Sequence, residues 1–353
     1  MKILMVAYMN PTTIDYPVYL ADHWKAMGHE VENFSVDLEV VDEPMYGFLQ
    51  SVYYCFNQML ERRIDAACGK FKPDIVLLMY NFLKAGAVIR LKRKHGCLVG
   101  SYLDHNYLLM EDTSQVLSLS DFVIVHDSYV TPIIQGHDRG RVENVFYLAG
   151  LVEPSEHLPL NLSDEDRRRY GADIAFIGWK GPDRIVALPR LARRGLRIWG
   201  LSEQWKQIPE LRGSVEEEPV YGLKKIKIYN AAKIVLSLEE RTKQINSINP
   251  RITEALASGG FVLCNWTKDL EDAGFRDGEN VAWFKSFDEM EEKADYYLAN
   301  ADKRLEISRR GREHVLATLT YEKIAPDIAR AVEKVLLAKR AQNGKAPQAA
   351  GSH

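Results

Sequence analysis

Short apolar runs alternate along the whole chain with longer segments in which apolar residues recur at helical spacing. In the first half, the apolar runs predict buried strands and the intervening segments predict helices. The predicted strands are residues 2–7, 31–36, 74–79, 97–103, 121–125 and 142–147, and the predicted helices are residues 16–28, 46–70 and 83–95. Strands that alternate with helices are typical of a parallel, doubly wound sheet.

A second alternating series follows residues 153–166, where two prolines and many polar residues predict a linker. Its predicted strands are residues 173–178, 196–200, 233–238, 261–264 and 279–284, and its predicted helices are residues 182–194, 223–231, 250–258, 287–300, 301–318 and 321–339. A chain of 353 residues also exceeds what one hydrophobic core usually serves. The pattern therefore predicts an α/β protein with two Rossmann-like, doubly wound domains.

The predicted domain boundaries follow these two series. Residues 1–153 form the first Rossmann-like domain and residues 167–320 form the second. We expect the helix at residues 321–340 to pack back toward the first domain, and residues 341–353, which are small and polar, to be a disordered tail or a remnant of expression.

The segment from Ser247 to Cys264 carries the clearest local signals in the chain. Asn249 is a good N-cap, and Pro250 suits the first helical position because its φ is already helical and its missing N–H would be unpaired there. Gly259 and Gly260 end the helix, and a buried strand follows. The segment therefore reads as a short helix between two strands.

The first turn of this helix is a candidate anion site. A helix that opens from a loop offers free N–H groups and a positive dipole end to an anion. Arg251 lies in that turn and Glu254, three residues on, shares its face, so the pair suits a phosphate beside a hydroxylated sugar. On spacing alone, Arg251 and Glu254 can equally pair with each other on a helix that only connects two strands.

Composition and charge exclude several classes of function. The net charge of −3, from 46 basic and 49 acidic residues, gives no field that would recruit nucleic acid. The four cysteines form no Cys-x-x-Cys pair and no histidine cluster has ligand spacing, so we expect neither a metal site nor a disulfide framework. The chain lacks a signal peptide and any apolar window long enough to span a membrane, and a cytoplasmic location is expected, with at most peripheral membrane contact.

The first strand is not followed by a dinucleotide fingerprint. The chain reads Ala7-Tyr8-Met9-Asn10-Pro11 where a Gly-x-Gly-x-x-Gly loop would stand, which disfavours a dehydrogenase.

The second half carries a family resemblance. Four stretches stand in the expected order, at residues 173–178, 195–200, 228–236 and 247–263, and a similar tail follows to about residue 331. With them, the second half resembles the C-terminal domain of GT-B glycosyltransferases, and in particular the glycosyltransferase-like family named for the spore protein CgeB. The resemblance implies a GT-B architecture of two Rossmann-like domains facing across a cleft. It also implies transfer of a sugar from a nucleoside diphosphate sugar to a hydroxyl acceptor, which is a glycan, a lipid-linked acceptor or a small molecule.

The resemblance also implies roles for individual residues on the donor side. Glu254 matches the carboxylate that binds the ribose hydroxyls, and Gly178 matches the loop glycine that lets the diphosphate approach. Lys180, Arg184 and Arg251 are the candidate cations for that diphosphate. The remaining predicted donor-binding residues are Ser247, Asn249 with the amides after it, and Tyr221, which falls in the segment that usually contacts the base. No cofactor or metal is expected beyond the donor itself.

The acceptor side is predicted from loops that follow the strands of the first half. Asp104 and His105 follow the fourth strand, where a carboxylate or an imidazole can act as a base, although the pair can also be a loop that caps a helix. Thr12, Thr13 and Asp15 follow the first strand and are candidate acceptor-binding residues, with a plain polar turn as the alternative. His126 and Asp127 form a second such pair after the fifth strand, which more readily caps the next helix. The basic run at residues 90–94 can meet anionic lipid headgroups or form a solvated face.

One departure from the family pattern affects the expected chemistry. Many retaining relatives carry a second acidic residue at the spacing that here falls on Asn246, so the carboxylate that faces the transferred sugar is missing at that position. Glu239 or Glu240 could reach the area from the preceding strand. We prefer a retaining, metal-independent glycosyltransferase by family analogy. The alternatives are a GT-B-fold sugar-nucleotide epimerase and a non-catalytic protein that binds nucleotide sugars.

Overall fold

The structure is a computed structural model that describes residues 1–7, 15–36, 49–79, 83–103, 111–136, 142–148, 150–218, 220–240 and 245–345. Contacts within the chain divide it into two compact units. Unit 1 contains residues 1–125, 130–147 and 324–353, and unit 2 contains residues 126–129 and 148–323. None of the helices in the described ranges is both long and apolar enough to cross a membrane.

Unit 1 is built on a parallel sheet whose described strands follow the order β2, β1, β3, β4, β5, β6. These strands are β1 (Lys2–Ala7), β2 (Glu30–Ser35), β3 (Ile75–Met79), β4 (Leu98–Leu103), β5 (Phe122–Val125) and β6 (Val145–Tyr147). The helices are α1 (Asp15–Ala26), α2 (Leu49–Phe71), α3 (Ala85–His95), α4 (Glu111–Leu119) and α5 (Val130–Gly136). Strands β3, β4 and β5 are buried along their whole length, as the continuous apolar runs of β3 and β5 predict.

Unit 2 is built on a second parallel sheet, in the order β12, β11, β10, β7, β8, β9. Its strands are β7 (Ile174–Ile177), β8 (Leu196–Trp199), β9 (Val215–Glu216), β10 (Ile234–Ser237), β11 (Val262–Asn265) and β12 (Ala282–Phe284). The helices are α6 (Asp164–Tyr170), α7 (Pro182–Leu191), α8 (Ser202–Lys206), α9 (Leu223–Ala231), α10 (Pro250–Ala257), α11 (Lys268–Asp272), α12 (Phe287–Ala299), α13 (Ala301–Thr318) and the start of α14 (Tyr321–Lys345), with a 3-10 helix at Pro209–Ser214. The fold class predicted from the sequence is confirmed.

The C-terminal helix α14 contributes most of its length to unit 1. The indole Nε1 of buried Trp24 donates to the carbonyl of Ala325 at 3.0 Å. Nearer the end of α14, Lys339 Nζ lies 3.7 Å from a carboxylate oxygen of Asp121, and Arg340 pairs with Asp74. These contacts join α14 to residues of unit 1 that lie more than 200 positions earlier in the sequence.

The basic run on α3 is largely neutralised by neighbouring acids. Arg90 pairs with Glu61 at 2.6 Å and Lys94 with Asp65 at 2.6 Å, both on α2. Lys92 Nζ lies 2.8 Å from a carboxylate oxygen of Asp121, the residue before β5. The run therefore has less free positive charge for anionic lipid than its sequence suggests.

The predicted linker at residues 153–166 is wrong at its C-terminal end. Helix α6 begins at Asp164, where the hydroxyl of Ser163 accepts from the N–H of Asp166 at 3.1 Å. Acidic residues fill the first turn and arginines the last, which suits the helix dipole. Because α6 is short and nearly all polar, hydrophobic spacing could not reveal it.

The helix that the sequence analysis placed after Asn249 is confirmed as α10, at Pro250–Ala257. The side chain of Asn249 caps it by accepting from the N–H of Arg251 at 2.9 Å. The chain leaves the helix through Gly259, whose φ of +84° is one that side-chain-bearing residues rarely adopt. Both ends of α10 are therefore fixed by residues next to them in the sequence.

Candidate functional site

Strand register brings the predicted donor-side residues together at the carboxyl edge of the sheet of unit 2. Strand β10 lies between β7 and β11, and Leu236 is paired with Phe176 on one side and with Leu263 on the other. The loop that leaves β7 and the loop that leaves β10 and leads into α10 therefore start from neighbouring strands. This edge of a parallel sheet is where open α/β proteins bind their ligands.

Asn249 connects the start of α10 to the end of β10. Its side-chain Oδ1 caps the helix, and its Nδ2 donates to Oε2 of Glu239 at 2.9 Å. Oε1 of the same carboxylate accepts from the hydroxyl of Ser237 at 3.2 Å. Because the N–H of Arg251 is already used by Asn249 and Pro250 has none, fewer amides are free for an anion here than the sequence analysis assumed.

Arg251 is the half-buried cation of this edge. Its Nη1 donates to Ser237 Oγ at 3.2 Å, and its guanidinium carbon lies 5.5 Å from the centre of the Phe176 ring. The other guanidinium N–H groups have no hydrogen-bond partner among the described residues. Arg251 therefore keeps hydrogen-bonding capacity that an anion can use.

Gly178 stands beside this guanidinium. A Cβ built on Gly178 would lie 3.3 Å from Nη2 of Arg251. The Gly178 N–H donates to Trp199 O at 2.8 Å and its carbonyl accepts from Trp205 Nε1 at 3.0 Å. Both backbone groups are occupied, and a Cβ at Gly178 would also lie 3.0 Å from the Phe176 ring, so the missing side chain lets Phe176 and Arg251 pack against the loop.

Arg184 was predicted as a cation for the diphosphate, but its side chain is buried, with 4% exposed. Its Nε and Nη2 donate to the carbonyl of Leu238 at 3.0 and 2.9 Å, and Nη1 donates to the carbonyl of Trp179 at 3.0 Å. Burial, and then the charge of nearby Arg251, lower the pKa of Arg184 to about 10. The guanidinium therefore joins the loop after β7 to the loop after β10.

Glu240 occupies the N-terminus of α7. Its Oε2 accepts from the N–H of Asp183 at 3.1 Å, and its Oε1 lies 3.5 Å from Arg184 Nε with no hydrogen-bond partner in the described ranges. The N-cap of α7 is Gly181, and a Cβ there would lie 2.0 Å from Oε1 of Glu240. An internal carboxylate thus fills a position at a helix N-terminus that suits an anion.

Glu254 is buried one turn into α10, with 7% exposed. Lys225 Nζ lies 3.0 Å from each carboxylate oxygen, and the hydroxyl of Tyr229 donates to Oε2 at 3.1 Å. His157 Nε2 lies 3.8 Å from Oε1. Burial raises the pKa of Glu254, but the charge of Lys225 and then of His157 outweighs it, so the net pKa lies below its usual value.

Arg251 and Glu254 therefore have different partners. Arg251 contacts residues of β7 and β10, while Glu254 contacts α9 and the segment before α6. Lys225 and Tyr229 were not predicted from the sequence. Their spacing of four residues places them on one face of a helix, but this was a weak signal. Glu254 lies 29 residues after Lys225 and 25 after Tyr229, and nothing in the local sequence connects them to it.

Three other predicted donor residues lie around this edge. The hydroxyl of fully buried Ser247 has no hydrogen-bond partner in the described part of the chain, and its carbonyl accepts from Thr267 Oγ1 at 3.1 Å. Lys180 Nζ donates to Gln207 Oε1 at 3.0 Å. Tyr221 is 44% exposed beside Gly222, the N-cap of α9.

The segment at residues 126–129, which belongs to unit 2, holds the loop that leads into α10. The Asp127 carboxylate accepts from the backbone N–H groups of Tyr129, Ile245 and Asn246, at 2.9 to 3.2 Å for Oδ1 or Oδ2. His126 Nε2 makes a 2.9 Å contact with the carbonyl of Ile248. The sequence predicted a local capping role for Asp127, but Ile245 and Asn246, two of its three partners, are more than 100 residues away.

Asn246, the position of the departure from the family pattern, takes part in the same contacts. Its Nδ2 donates to Ser128 Oγ at 3.2 Å. The hydroxyl and N–H of Ser128 in turn donate to the carboxylate of Asp269. An acidic residue at position 246 would add a third carboxylate beside Asp127 and Asp269, and a neutral amide avoids that repulsion.

The predicted acceptor-side residues are not located by the structure. Asp104, His105, Thr12 and Thr13 lie outside the described residues. Asp15 is the first residue of α1, and nothing further is described of it. Their roles stay predictions.

A wide groove of about 590 Å³ lies elsewhere, at the amino edge of the same sheet. It is lined by the residues that enter the strands and leave the helices, among them Gly171, Asp173, Gly195, Arg197 and Lys233. None of the predicted site residues lines this groove. Across the described ranges, no group of three or more His, Cys, Asp or Glu side chains is placed to hold a metal ion.

Two six-stranded parallel sheets with flanking helices are the architecture of the GT-B class of glycosyltransferases. Comparison with known proteins agrees with this assignment. Residues 184–330 match the model of a family described as glycosyl transferase-like. A search of curated protein sequences found no match.

Solved structures of glycosyltransferases resemble this chain over nearly all of its length. Sucrose-phosphate synthase from Thermosynechococcus elongatus is similar with a TM-score of 0.73 and 14% identity, over 96% of this chain and 100% of that one. Anabaena Alr3699/HepE in complex with UDP and glucose is similar with a TM-score of 0.66 and 11% identity, over 95% and 100%. The catalytic domain of starch synthase IV from Arabidopsis thaliana, bound to ADP and acarbose, is similar with a TM-score of 0.66 and 13% identity, over 95% and 99%. At these identities the likeness establishes the shared fold.

Proposed function

We propose that this protein is a glycosyltransferase that moves a sugar from a nucleoside diphosphate sugar to a hydroxyl acceptor. The observation that carries the proposal is Arg251, a half-buried guanidinium with unused N–H groups beside Gly178 and one helical turn before Glu254. A diphosphate suits the guanidinium, which binds phosphate oxygens in pairs. A ribose suits the carboxylate, which accepts hydrogen bonds from hydroxyl groups.

Similar proteins support this class of ligand. The HepE structure contains UDP and glucose, and the starch synthase structure contains ADP and acarbose. Both have folds like that of this chain. By analogy we propose that the diphosphate binds at Arg251, with Lys180 of the loop after β7 as a second cation. The nucleoside would then lie toward Glu254 and Tyr221.

The transfer step breaks the bond between the anomeric carbon of the sugar and the diphosphate oxygen, and forms a bond from that carbon to the acceptor oxygen. We propose that the acceptor proton passes to the leaving diphosphate, with retention of configuration and without a metal ion. Arg251 stabilises the charge that develops on the diphosphate. Arg184 was predicted to act with Arg251. Its burial suits a role in holding the loops after β7 and β10 together, and its positive charge lies near that of Arg251.

The finer parts of the proposal rest on the sequence. We propose a CgeB-type branch of the class from the order of the four matching stretches, and a cytoplasmic enzyme that takes part in polysaccharide or glycoconjugate biosynthesis. Asp104 or His105 would orient or deprotonate the acceptor, and Thr12, Thr13 and Asp15 would bind it.

A thermal-shift screen against uridine, adenosine, guanosine and thymidine diphosphates and their glucose derivatives tests the ligand class. We expect one base to raise the melting temperature most. The matching nucleotide sugar should then release free nucleoside diphosphate slowly in water and faster with a sugar acceptor. A protein that binds a nucleotide sugar but releases no nucleoside diphosphate with any acceptor tested is not a transferase.

A further inference from the structure

Two residues of α9 lie against the carboxylate of Glu254. Lys225 and Tyr229 are four positions apart, so they share one face of the helix. Lys225 Nζ is equidistant from the two carboxylate oxygens, at 3.0 Å, and Tyr229 donates to one of them. The carboxylate is thus fixed in rotation as well as in position.

The same contacts set the charge of Glu254. A carboxylate that is as deeply buried as this one would ordinarily hold a proton, since burial raises its pKa. The charge of Lys225 is the largest effect in the opposite direction, and His157 adds to it, so the net pKa is lowered. Lys225, Tyr229 and His157 are the titratable groups that act on the carboxylate.

A carboxylate has about four lone-pair positions. Lys225 and Tyr229 use some of them, and the 3.8 Å separation from His157 is too long for a hydrogen bond. The capacity that is left suits the two hydroxyl groups of a ribose. An ionised carboxylate is the stronger acceptor for them.

We propose that Lys225 is a positioning residue for nucleotide recognition, which holds the Glu254 carboxylate in one orientation and in its ionised form for the ribose. The proposal rests on the proposed function, because it takes the ribose to bind at Glu254. Tyr229 has the same role with a smaller effect, since it contributes one neutral hydrogen bond.

The test is the pH dependence of nucleotide-sugar binding. The probe is the nucleoside diphosphate glucose that raises the melting temperature most. A nucleotide sugar is preferred to the free diphosphate because a terminal phosphate has a pKa of about 6 and would itself titrate. Calorimetry between about pH 5.5 and 8 should give a nearly constant Kd for the unchanged protein, since Glu254 stays ionised there.

Lys225→Met should make this binding pH-dependent. Without the Lys225 charge, burial dominates and the pKa of the Glu254 carboxyl rises. As the pH falls through the raised pKa, the carboxyl takes up a proton, and we expect the Kd to increase about tenfold from the alkaline to the acid end. Lys225→Arg keeps the charge and should restore a nearly flat profile.

Three further variants separate this effect from others. Lys224→Met removes a neighbouring lysine that pairs with Glu218 and should leave the profile flat. Lys225→Met with His157→Gln also removes the second charge that lowers the pKa of Glu254, so it should show a stronger pH dependence than Lys225→Met alone. If Lys225→Met does not fold, Tyr229→Phe replaces it in the test. This variant deletes one hydroxyl and should show the same pH dependence of the Kd in weaker form.

The outcomes for the two proposals are distinct. If the unchanged protein binds no nucleotide sugar, the proposed function fails and this inference fails with it. If the unchanged protein binds one, and Lys225→Met and Tyr229→Phe bind it with unchanged affinity at every pH, only the positioning role of Lys225 is wrong.

Discussion

The two edges of the sheet in unit 2 differ in the exposure and pairing of their charged side chains. At the amino edge, Asp173 and Lys233 pair at 2.7 Å with side chains 44% and 53% exposed, beside the wide groove. At the carboxyl edge, Arg184, Glu240 and Glu254 are buried, and Arg251 has unused N–H groups. At the carboxyl edge the unused hydrogen-bonding capacity belongs to a half-buried guanidinium, whereas Asp173 and Lys233 beside the groove are exposed and pair with each other.

The direction of the helices explains why an anion should prefer the carboxyl edge. In a parallel sheet with crossover helices, helix N-termini lie at the carboxyl ends of the strands and helix C-termini at the amino ends. Helices α7 and α10 therefore begin at the carboxyl edge, while residues just past the ends of α6 and α7 line the groove at the amino edge. Glu240 already occupies the N-terminus of α7, so the dipole end of α10, with Arg251 beside it, is the one that favours phosphate at the carboxyl edge, and groove size does not indicate the site.

The largest expected effect is on stability, from Arg184→Ala. The substitution removes two N–H donors from the carbonyl of buried Leu238 and one from the carbonyl of Trp179, and it leaves buried Glu240 without its cation. Breaking a buried ion pair costs about 3 to 5 kcal/mol, so urea denaturation should show a loss of that order in the free energy of unfolding. Arg309→Ala, which removes an exposed cation of Glu313, should cost less than about 1 kcal/mol. Equal losses in the two variants would contradict the bridging role of Arg184.

Arg251→Ala should act on binding. A hydrogen bond to a charged group contributes about 1.5 to 3 kcal/mol, which is roughly a 10- to 150-fold increase in the Kd of the nucleoside diphosphate. Stability should change less than in Arg184→Ala, since Arg251 has one described hydrogen bond from its guanidinium. Calorimetry measures the Kd, and an unchanged value would exclude Arg251 as the diphosphate ligand.

Gly181→Ala tests whether the Glu240 carboxylate is held at the N-terminus of α7. The added Cβ would lie 2.0 Å from Glu240 Oε1, so the carboxylate must move away from the Asp183 N–H. Forced repacking of this kind costs at least about 1 kcal/mol of unfolding free energy. Gly213→Ala is the control, because its Cβ would meet nothing within 4 Å. If Gly181→Ala is as stable as Gly213→Ala, Glu240 does not occupy that position in solution.

The smallest effect is expected at the amino edge. Lys233→Ala removes one partner of an exposed ion pair, which contributes between 0 and about 1 kcal/mol to stability. Nucleotide affinity should not change. A Kd that rises as much as in Arg251→Ala would move the site to the groove.

Local sequence rules predicted the parts of the site that depend on neighbouring residues. Asn249, Pro250 and the two glycines after α10 determine that helix by themselves, and the apolar runs determine most strands. Short polar helices such as α6 and α11 were missed because they bury few apolar residues.

The pairing of charges could not be predicted, because it depends on contacts between distant segments. Glu240 meets the N-terminus of α7 from 57 residues away, and Asp127 reaches Asn246 from 119 residues away. Neither the burial of Arg184 nor the Lys225 contact to Glu254 has a signature in the order of residues. Both follow from the order of strands in the sheet and the packing of α9 against α10.

A crystal structure with the nucleoside diphosphate that gives the largest thermal shift would locate the nucleotide site. We expect phosphate oxygens within hydrogen-bond distance of the Arg251 guanidinium and ribose hydroxyls at the Glu254 carboxylate. A nucleotide bound at the amino edge beside Asp173 and Lys233, with Arg251 and Glu254 contacting no ligand, would contradict this expectation.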